Sequence, residues 1–244
     1  MAGNGNTSDR IVWIDCEMTG LDLEADALIE VAAVVTDSQL NVLGEGVDVI
    51  ITPPPAALEQ MIEFVRTMHT TSGLLDALPG GTTIADAQAT VLKYIKAWVP
   101  EPRKAPIAGN SVGTDKTFLE RDMPALMEHL HYRVIDVSSI KELARRWYPR
   151  IYYASPAKNG GHRALADILD SIDELRYYRR ALFVEPPGPD SAAARVIAAE
   201  ILATSVAPGL ATSVAPGLAT SVAPGLATSV APGGTTPAAE APPT

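Results

Sequence analysis

In the segment IVWIDCEMTG, Asp15 and Glu17 stand one residue apart inside an otherwise apolar, β-branched run. Alternate side chains of a strand share a face, so the two carboxylates point one way while Val12, Ile14, Cys16 and Met18 point the other. Two like charges on a face that is otherwise apolar repel and are costly to desolvate without a cation. A divalent ion such as Mg²⁺ or Mn²⁺ takes carboxylate oxygens and keeps its remaining positions for waters and phosphate oxygens. The plainer alternative is an exposed strand end with each acid paired to Lys or Arg.

Two further segments offer groups of the same kind. In AGNSVGTDKTF a short strand ends at Gly109-Asn110 and a helix begins near Asp115. Taken alone, an Asp in a first helical turn is a favourable partner for the helix dipole. Asn110 and Ser111 share its strand-to-helix loop, where polar site groups collect in α/β folds. In NGGHRALADILDSIDELRYYRR, Asp167 falls on a helix whose apolar stripe is Leu165, Ile168, Leu169, Ile172 and Leu175. His162 follows a glycine pair; in isolation that describes an ordinary surface residue, but five residues separate it from Asp167. That spacing lets an imidazole reach over a site whose floor the Asp helps to build.

The elements that must hold these groups read as mixed α/β over residues 9–184. Residues 11–18, 28–37 and 42–51 are apolar runs separated by turn residues, which predicts three consecutive antiparallel strands. Helical periodicity covers 56–68 and 84–99, then a short strand 106–109, a helix 115–130, a strand 134–137, and helices 138–147 and 163–182. This order predicts a ribonuclease H-like mixed sheet, three antiparallel strands and then shorter ones, flanked by helices. Residues 1–8 read as a flexible N-terminus. From Glu185 the composition changes to EPPGPD, an Ala-rich stretch that could form one helix over 191–203 with Asp190 as cap, and four copies of LATSVAPG between Leu202 and Gly233. Pro-Gly in every copy breaks a helix, and the repeat has too few large apolar groups for a core, so this tail is expected to be disordered and without a catalytic role.

Bulk properties narrow the function classes. A formal net charge of −10 over 244 residues opposes a grip on long duplex nucleic acid, which needs clustered Lys and Arg; it suits a substrate with one or two phosphates. A single cysteine, Cys16, excludes an intramolecular disulfide framework. The polar N-terminus lacks the apolar core of a signal peptide, and no apolar run approaches about 18 residues, so no membrane association and a cytoplasmic location are expected.

The combination Asp15-x-Glu17, Asp115, and His162 with Asp167 resembles the DEDDh exonucleases. The words WIDCEMTGLD, GNSVGTDKTFL, HYRVIDVSSIKELARRWYP and HRALADI are similar to those of the oligoribonuclease branch, over about residues 9–183. The resemblance implies a 3′→5′ exoribonuclease in which Asp15, Glu17, Asp115 and Asp167 hold two divalent cations, Mg²⁺ or Mn²⁺, and His162 is the general base, a role imidazole suits. It implies short RNA, above all 5′-phosphorylated dinucleotides, as substrate, with nucleoside 5′-monophosphates as products. Leu21 matches an apolar wedge between the two bases, and Phe64 an aromatic packed on a base. His69, Ser111, Ser138 and Ser139 match groups around the substrate, the serines capping the 5′ phosphate. Tyr132 and Arg133 match residues delivered by a second subunit, which implies a homodimer.

Three rival readings follow from the same residues. A DEDDh exonuclease acting on DNA or structured RNA would show a basic path, whereas Lys141, Arg145, Arg146, Arg150 and Arg163 are scattered. A catalytically silent module of the same fold would be marked by loss of a carboxylate, and all four are present with the histidine. An acidic interaction protein rests on the low-complexity tail alone.

Overall fold

The computed structural model describes residues 9–157 and 161–204, so the expectations for residues 1–8 and for the repeats beyond 204 lie outside the described residues. The chain divides into one unit ending at Pro186 and another beginning at Pro187. In the first, strands β1 (Ile11–Met18), β2 (Leu28–Thr36), β3 (Val42–Ile50), β4 (Pro106–Gly109) and β5 (His131–Asp136) form one sheet in the order β3-β2-β1-β4-β5. The first three strands pair antiparallel, while β4 and β5 run parallel to β1. Its helices are α1 (Pro55–Glu59), α2 (Glu63–Thr71), α3 (Leu74–Ala77), α4 (Ile84–Trp98), α5 (Gly113–Asp122), α6 (Pro124–His129), α7 (Val137–Trp147), α8 (Pro149–Tyr153) and α9 (Ala164–Leu182). The architecture is the expected ribonuclease H-like mixed sheet with helices on both faces.

The alternation in β1 sorts its side chains. Val12, Ile14 and Cys16 join one core with residues of α4, α5 and α6, and Trp13 joins the other with residues of α7 and α9. Every residue of β2 is buried, as a strand covered on both faces requires. The site groups of β1, β4 and β5 therefore lie toward the carboxyl ends of three mutually parallel strands, where α/β sheets leave a crevice.

The structure departs from the sequence reading at several places, and the short helices α3 and α8 stand where no element was expected. The helix expected over 56–68 is two, α1 and α2, because Met61 turns into the core and Ile62 is extended (φ −67°, ψ 154°). The helix expected over 115–130 breaks at Met123 (φ −131°, ψ 55°), since Pro124 keeps its predecessor out of the α region. Strand β5 starts at His131 rather than 134, so Tyr132 and Arg133 lie on the sheet's edge strand. The buried stripe of α9 is Ala164, Ile168, Ile172 and Leu175; Leu169 faces solvent.

In the second unit, α10 (Ser191–Thr204) forms where the Ala-rich stretch allowed a helix, and Asp190 Oδ1 accepts the N–H groups of Ala192 and Ala193 at 2.9 and 2.8 Å.

Candidate active site

Strand β1 brings Asp15 and Glu17 to one face, opposite Ala32 and Glu30 of β2 respectively. Glu17 is buried and Asp15 half-buried. Asp115, in the first turn of α5, reaches the same place: its Oδ1 accepts the N–H of Cys16, between the two acids, at 2.9 Å. Gly109 permits this approach. A side chain there would press the carbonyl oxygen of Ile14 at 3.0 Å and Val112 at 3.1 Å, so β4 can lie tight against β1 and turn directly into α5.

The electrostatics of the cluster are those of like charges gathered in a buried place. Burial, reinforced by Asp115, Glu17 and Asp167, pushes Asp15 up from 3.8 to about 9. Burial, with Asp167 and Glu30 adding to it, pushes Glu17 up from 4.5 to about 8. Asp115 rises to about 6, again chiefly by burial, with its backbone hydrogen bonds holding it back. Four oxygen-donor acids that repel in a desolvated place fit a hard divalent cation. Glu17, His162 and Asp167 also offer ligand atoms that all lie within 4.8 Å of one another.

The fourth acid and the histidine are placed by a residue the sequence reading missed. Glu30 is fully buried, accepts the Arg163 Nε at 2.7 Å and the Ala164 N–H at 3.0 Å, and so clamps the start of α9. Arg163 also lies 3.6 Å from Asp48. Asp167 sits one turn further along, its N–H donating to the Arg163 carbonyl at 3.0 Å. His162, just before the clamp, is exposed and has a left-handed backbone (φ +46°) that bulky residues rarely adopt.

The remaining predicted groups divide into three sets. His69 is fully buried behind Glu17. Its Nε2 donates to the Met18 carbonyl at 2.9 Å, which turns Nδ1 toward Glu17 at 3.9 Å, and burial lowers its pKa. Ser111, Ser138 and Ser139 lie at the starts of α5 and α7, and Ser111 Oγ is 3.1 Å from Ser138 Oγ. Asp136, also missed, accepts the N–H groups of Ser111 and Ser138 at 3.0 and 2.9 Å. Leu21 (74% exposed), Phe64 (75%) and Tyr132 (77%) present apolar surface to solvent. Leu21 rides on a braced loop: Thr19 Oγ1 donates to Asp26 at 2.8 Å, Asp22 N–H donates to Asp26 at 2.9 Å, and Arg121 donates to the Leu23 and Asp26 carbonyls. The Arg133 guanidinium lies over the Tyr132 ring, 5.8 Å from its centroid.

Known proteins resemble this chain in sequence and in fold. Residues 12–175 match the family described as Exonuclease (RNase_T). The oligoribonuclease of Streptomyces avermitilis is 70% identical over 193 residues, covering 79% of this chain and 96% of the relative. Those of Leifsonia xyli and Mycobacterium avium are each 57% identical, over 196 and 202 residues, covering 80% and 82% of this chain and 95% and 94% of theirs. Among solved structures, exonuclease I of E. coli in complex with a dA16 oligonucleotide superimposes with a TM-score of 0.52 at 17% identity, over 71% of this chain. Its zinc-bound complex with single-stranded DNA gives 0.52 at 17%, over 71%. This chain spans 41% of each of those longer proteins, so the likeness concerns the shared fold.

Proposed function

Because the chain belongs to the oligoribonuclease family of exonucleases and is thereby a divalent-metal-dependent 3′→5′ exoribonuclease, we propose that it hydrolyses 5′-phosphorylated dinucleotides with the residues gathered at the carboxyl end of β1. The observation that carries the reading is the meeting of Asp15, Glu17 and Asp115 on β1 and α5 with Asp167 and His162 at the start of α9.

Asp15, Glu17, Asp115 and Asp167 would hold two cations, Mg²⁺ or Mn²⁺ by the all-oxygen donor set. Such ions, when bound, lower the pKa of an attacking water and stabilise charge on the leaving 3′ oxygen. His162, within 4.8 Å of the Glu17 and Asp167 oxygens, is read as base rather than ligand, since hard cations prefer oxygen. A ring nitrogen of His162 takes the water's proton. Its exposed, left-handed position at the mouth of the cluster leaves the imidazole room to approach substrate.

Specificity is assigned to the rim. Leu21, on its braced loop, separates the two bases and Phe64 packs against one, and His69, its Nδ1 3.9 Å from Glu17, is counted among the groups around the substrate. Ser111, Ser138 and Ser139 cap the 5′ phosphate, and the cap ends the site after two nucleotides. Arg133 and Tyr132 of a second copy would complete it. That reading is supported by their exposure on edge strand β5.

The test is a degradation series with purified protein, Mg²⁺ or Mn²⁺, and 5′-phosphorylated RNAs of two to ten nucleotides. Rates should be greatest for the dinucleotide and fall at three. A rate that rises steadily with length would overturn the closed site.

A further inference from the structure

One side chain touches both the helix that carries Asp167 and the serines at the rim. Asn110 follows β4, with its Nδ2 2.8 Å from Ser171 Oγ and 3.1 Å from Glu174 Oε2, both on α9, and its Oδ1 3.1 Å from Ser138 Oγ on α7. The amide's orientation is forced. Glu174 is buried and ion-paired with Lys141 at 3.1 Å, so its carboxylate only accepts, and the amide nitrogen must face it. Ser171 donates its own proton to the Asp167 carbonyl at 2.8 Å, which leaves it a lone pair for the other N–H of Asn110. Oδ1 therefore faces Ser138, and Ser138 must donate to it.

The direction then propagates. With its proton committed to Asn110, Ser138 can only accept from Ser111, 3.1 Å away, so Ser111 is the donor of that pair. A terminal phosphate accepts hydrogen bonds and donates few. Turning the Ser111 hydroxyl toward it sacrifices one contact at the surface, between exposed Ser111 and half-buried Ser138. Turning Ser138 would strand the amide oxygen of Asn110, which is the costlier choice. Asp136 holds both serine backbones in place while this happens, and Ser111 keeps a left-handed backbone (φ +52°).

We propose that Asn110 is a positioning residue for the 5′-phosphate cap, tying Ser138 to the helix of Asp167 and leaving Ser111 as the hydroxyl that donates to the phosphate. This rests on reading Ser111 and Ser138 as a cap. An unbroken hydrogen-bonded chain thereby joins the helix of Asp167 to the cap before the phosphate binds, through Ser171, Asn110, Ser138 and Ser111, and once Ser111 turns to the phosphate Asp136 keeps the two serines in register through their backbone N–H groups.

The experiment measures affinities of the full-length protein for 5′-phosphorylated and unphosphorylated dinucleotides, with Ca²⁺ in place of the catalytic ion, and kcat and KM separately with Mn²⁺. Ser111→Ala should lose about tenfold or more of the preference for the phosphorylated ligand, one hydrogen bond to a charged group, and Ser138→Ala less. Asn110→Ala should lose about what Ser138→Ala loses, in KM rather than kcat, and should add nothing in a Ser138→Ala background. An undiminished preference in Asn110→Ala, or full additivity with Ser138→Ala, overturns the positioning role. If neither serine variant alters the preference, the cap itself is wrong. Glu174→Gln provides the same decision should Asn110→Ala not fold: an amide at 174 frees Asn110 to flip, and the same loss of preference is expected, an unchanged preference counting against the role.

Discussion

At the scale of single residues, the site is a set of acids held away from their ordinary protonation. Asp15 and Glu17 have folded pKa values of about 9 and about 8 against 3.8 and 4.5. Groups raised on folding contribute their stability below the unfolded value and lose it as pH climbs through the folded one. The metal-free protein should therefore melt at progressively lower temperature between about pH 4 and pH 9, and Asp15→Asn should flatten the decline while abolishing turnover. Scanning calorimetry in chelator across that range is the check; a melting temperature that rises with pH would contradict the clustered acids. Adding Mn²⁺ should remove most of the decline, because the cation stabilises the ionised set. His162→Ala is expected to slow hydrolysis by about 10²–10⁴-fold, the usual worth of a positioned base. Mn²⁺ binding followed by electron paramagnetic resonance should stay near wild type. A change within a few fold would return His162 to the role of a surface residue.

At the scale of elements, the proposed chemistry depends on α9, whose start is held by Glu30. Glu30→Gln keeps the shape but weakens the contact with Arg163, so we expect a loss of about 1–3 kcal/mol in stability, together with a lower kcat as Asp167 and His162 lose their anchor. Denaturant titration beside steady-state kinetics reads both, and a variant equal to wild type in each would remove the clamp. The sequence could not reveal Glu30. It is a lone acid in the apolar run LIEVAAVVT, and the Arg163 that explains it lies 133 residues away. Asp136 was hidden in the same way, its serine partner at 111 being 25 residues distant. Strand β1 was legible because alternation and two acids at spacing two coincide in eight residues. The division at Met123 was legible in principle from Pro124, but the apolar periodicity continues across it and outweighed the proline. The break at Met61 carries no such marker, since only the core behind it makes that side chain turn inward.

At the scale of the whole molecule, two expectations concern what lies beyond the catalytic unit. The relatives align over 193 to 202 residues, and the repeats extend further than that. Truncation after Val184 should leave dinucleotide hydrolysis and oligomeric state as they were, measured by rate and by light scattering. Loss of either would give α10 a part in assembly. If Arg133 acts across a subunit boundary, Arg133→Ala should weaken binding of 5′-phosphorylated dinucleotides by about 10–150-fold and hardly touch unphosphorylated ones. Mixing that protein with Asp15→Ala protein should then recover activity, because mixed dimers contain one site with both groups intact. No recovery from a demonstrated mixed dimer would place Arg133 in its own subunit's site or outside any.

The strand order has a bearing on how such a protein can change over generations. Strand β1, with its two acids, occupies the middle of β3-β2-β1-β4-β5, while β5 and the turns after β4 and β5 form the rim. A replacement in the middle is felt by both hydrophobic layers at once and is purged. On the function proposed above, a replacement at the rim would alter which ligand is admitted while turnover survives. Variation in such a lineage should therefore accumulate at the border of the sheet and thin out toward its centre, so that a new diet is reached by drift along one edge, over a bond-breaking apparatus that is inherited whole.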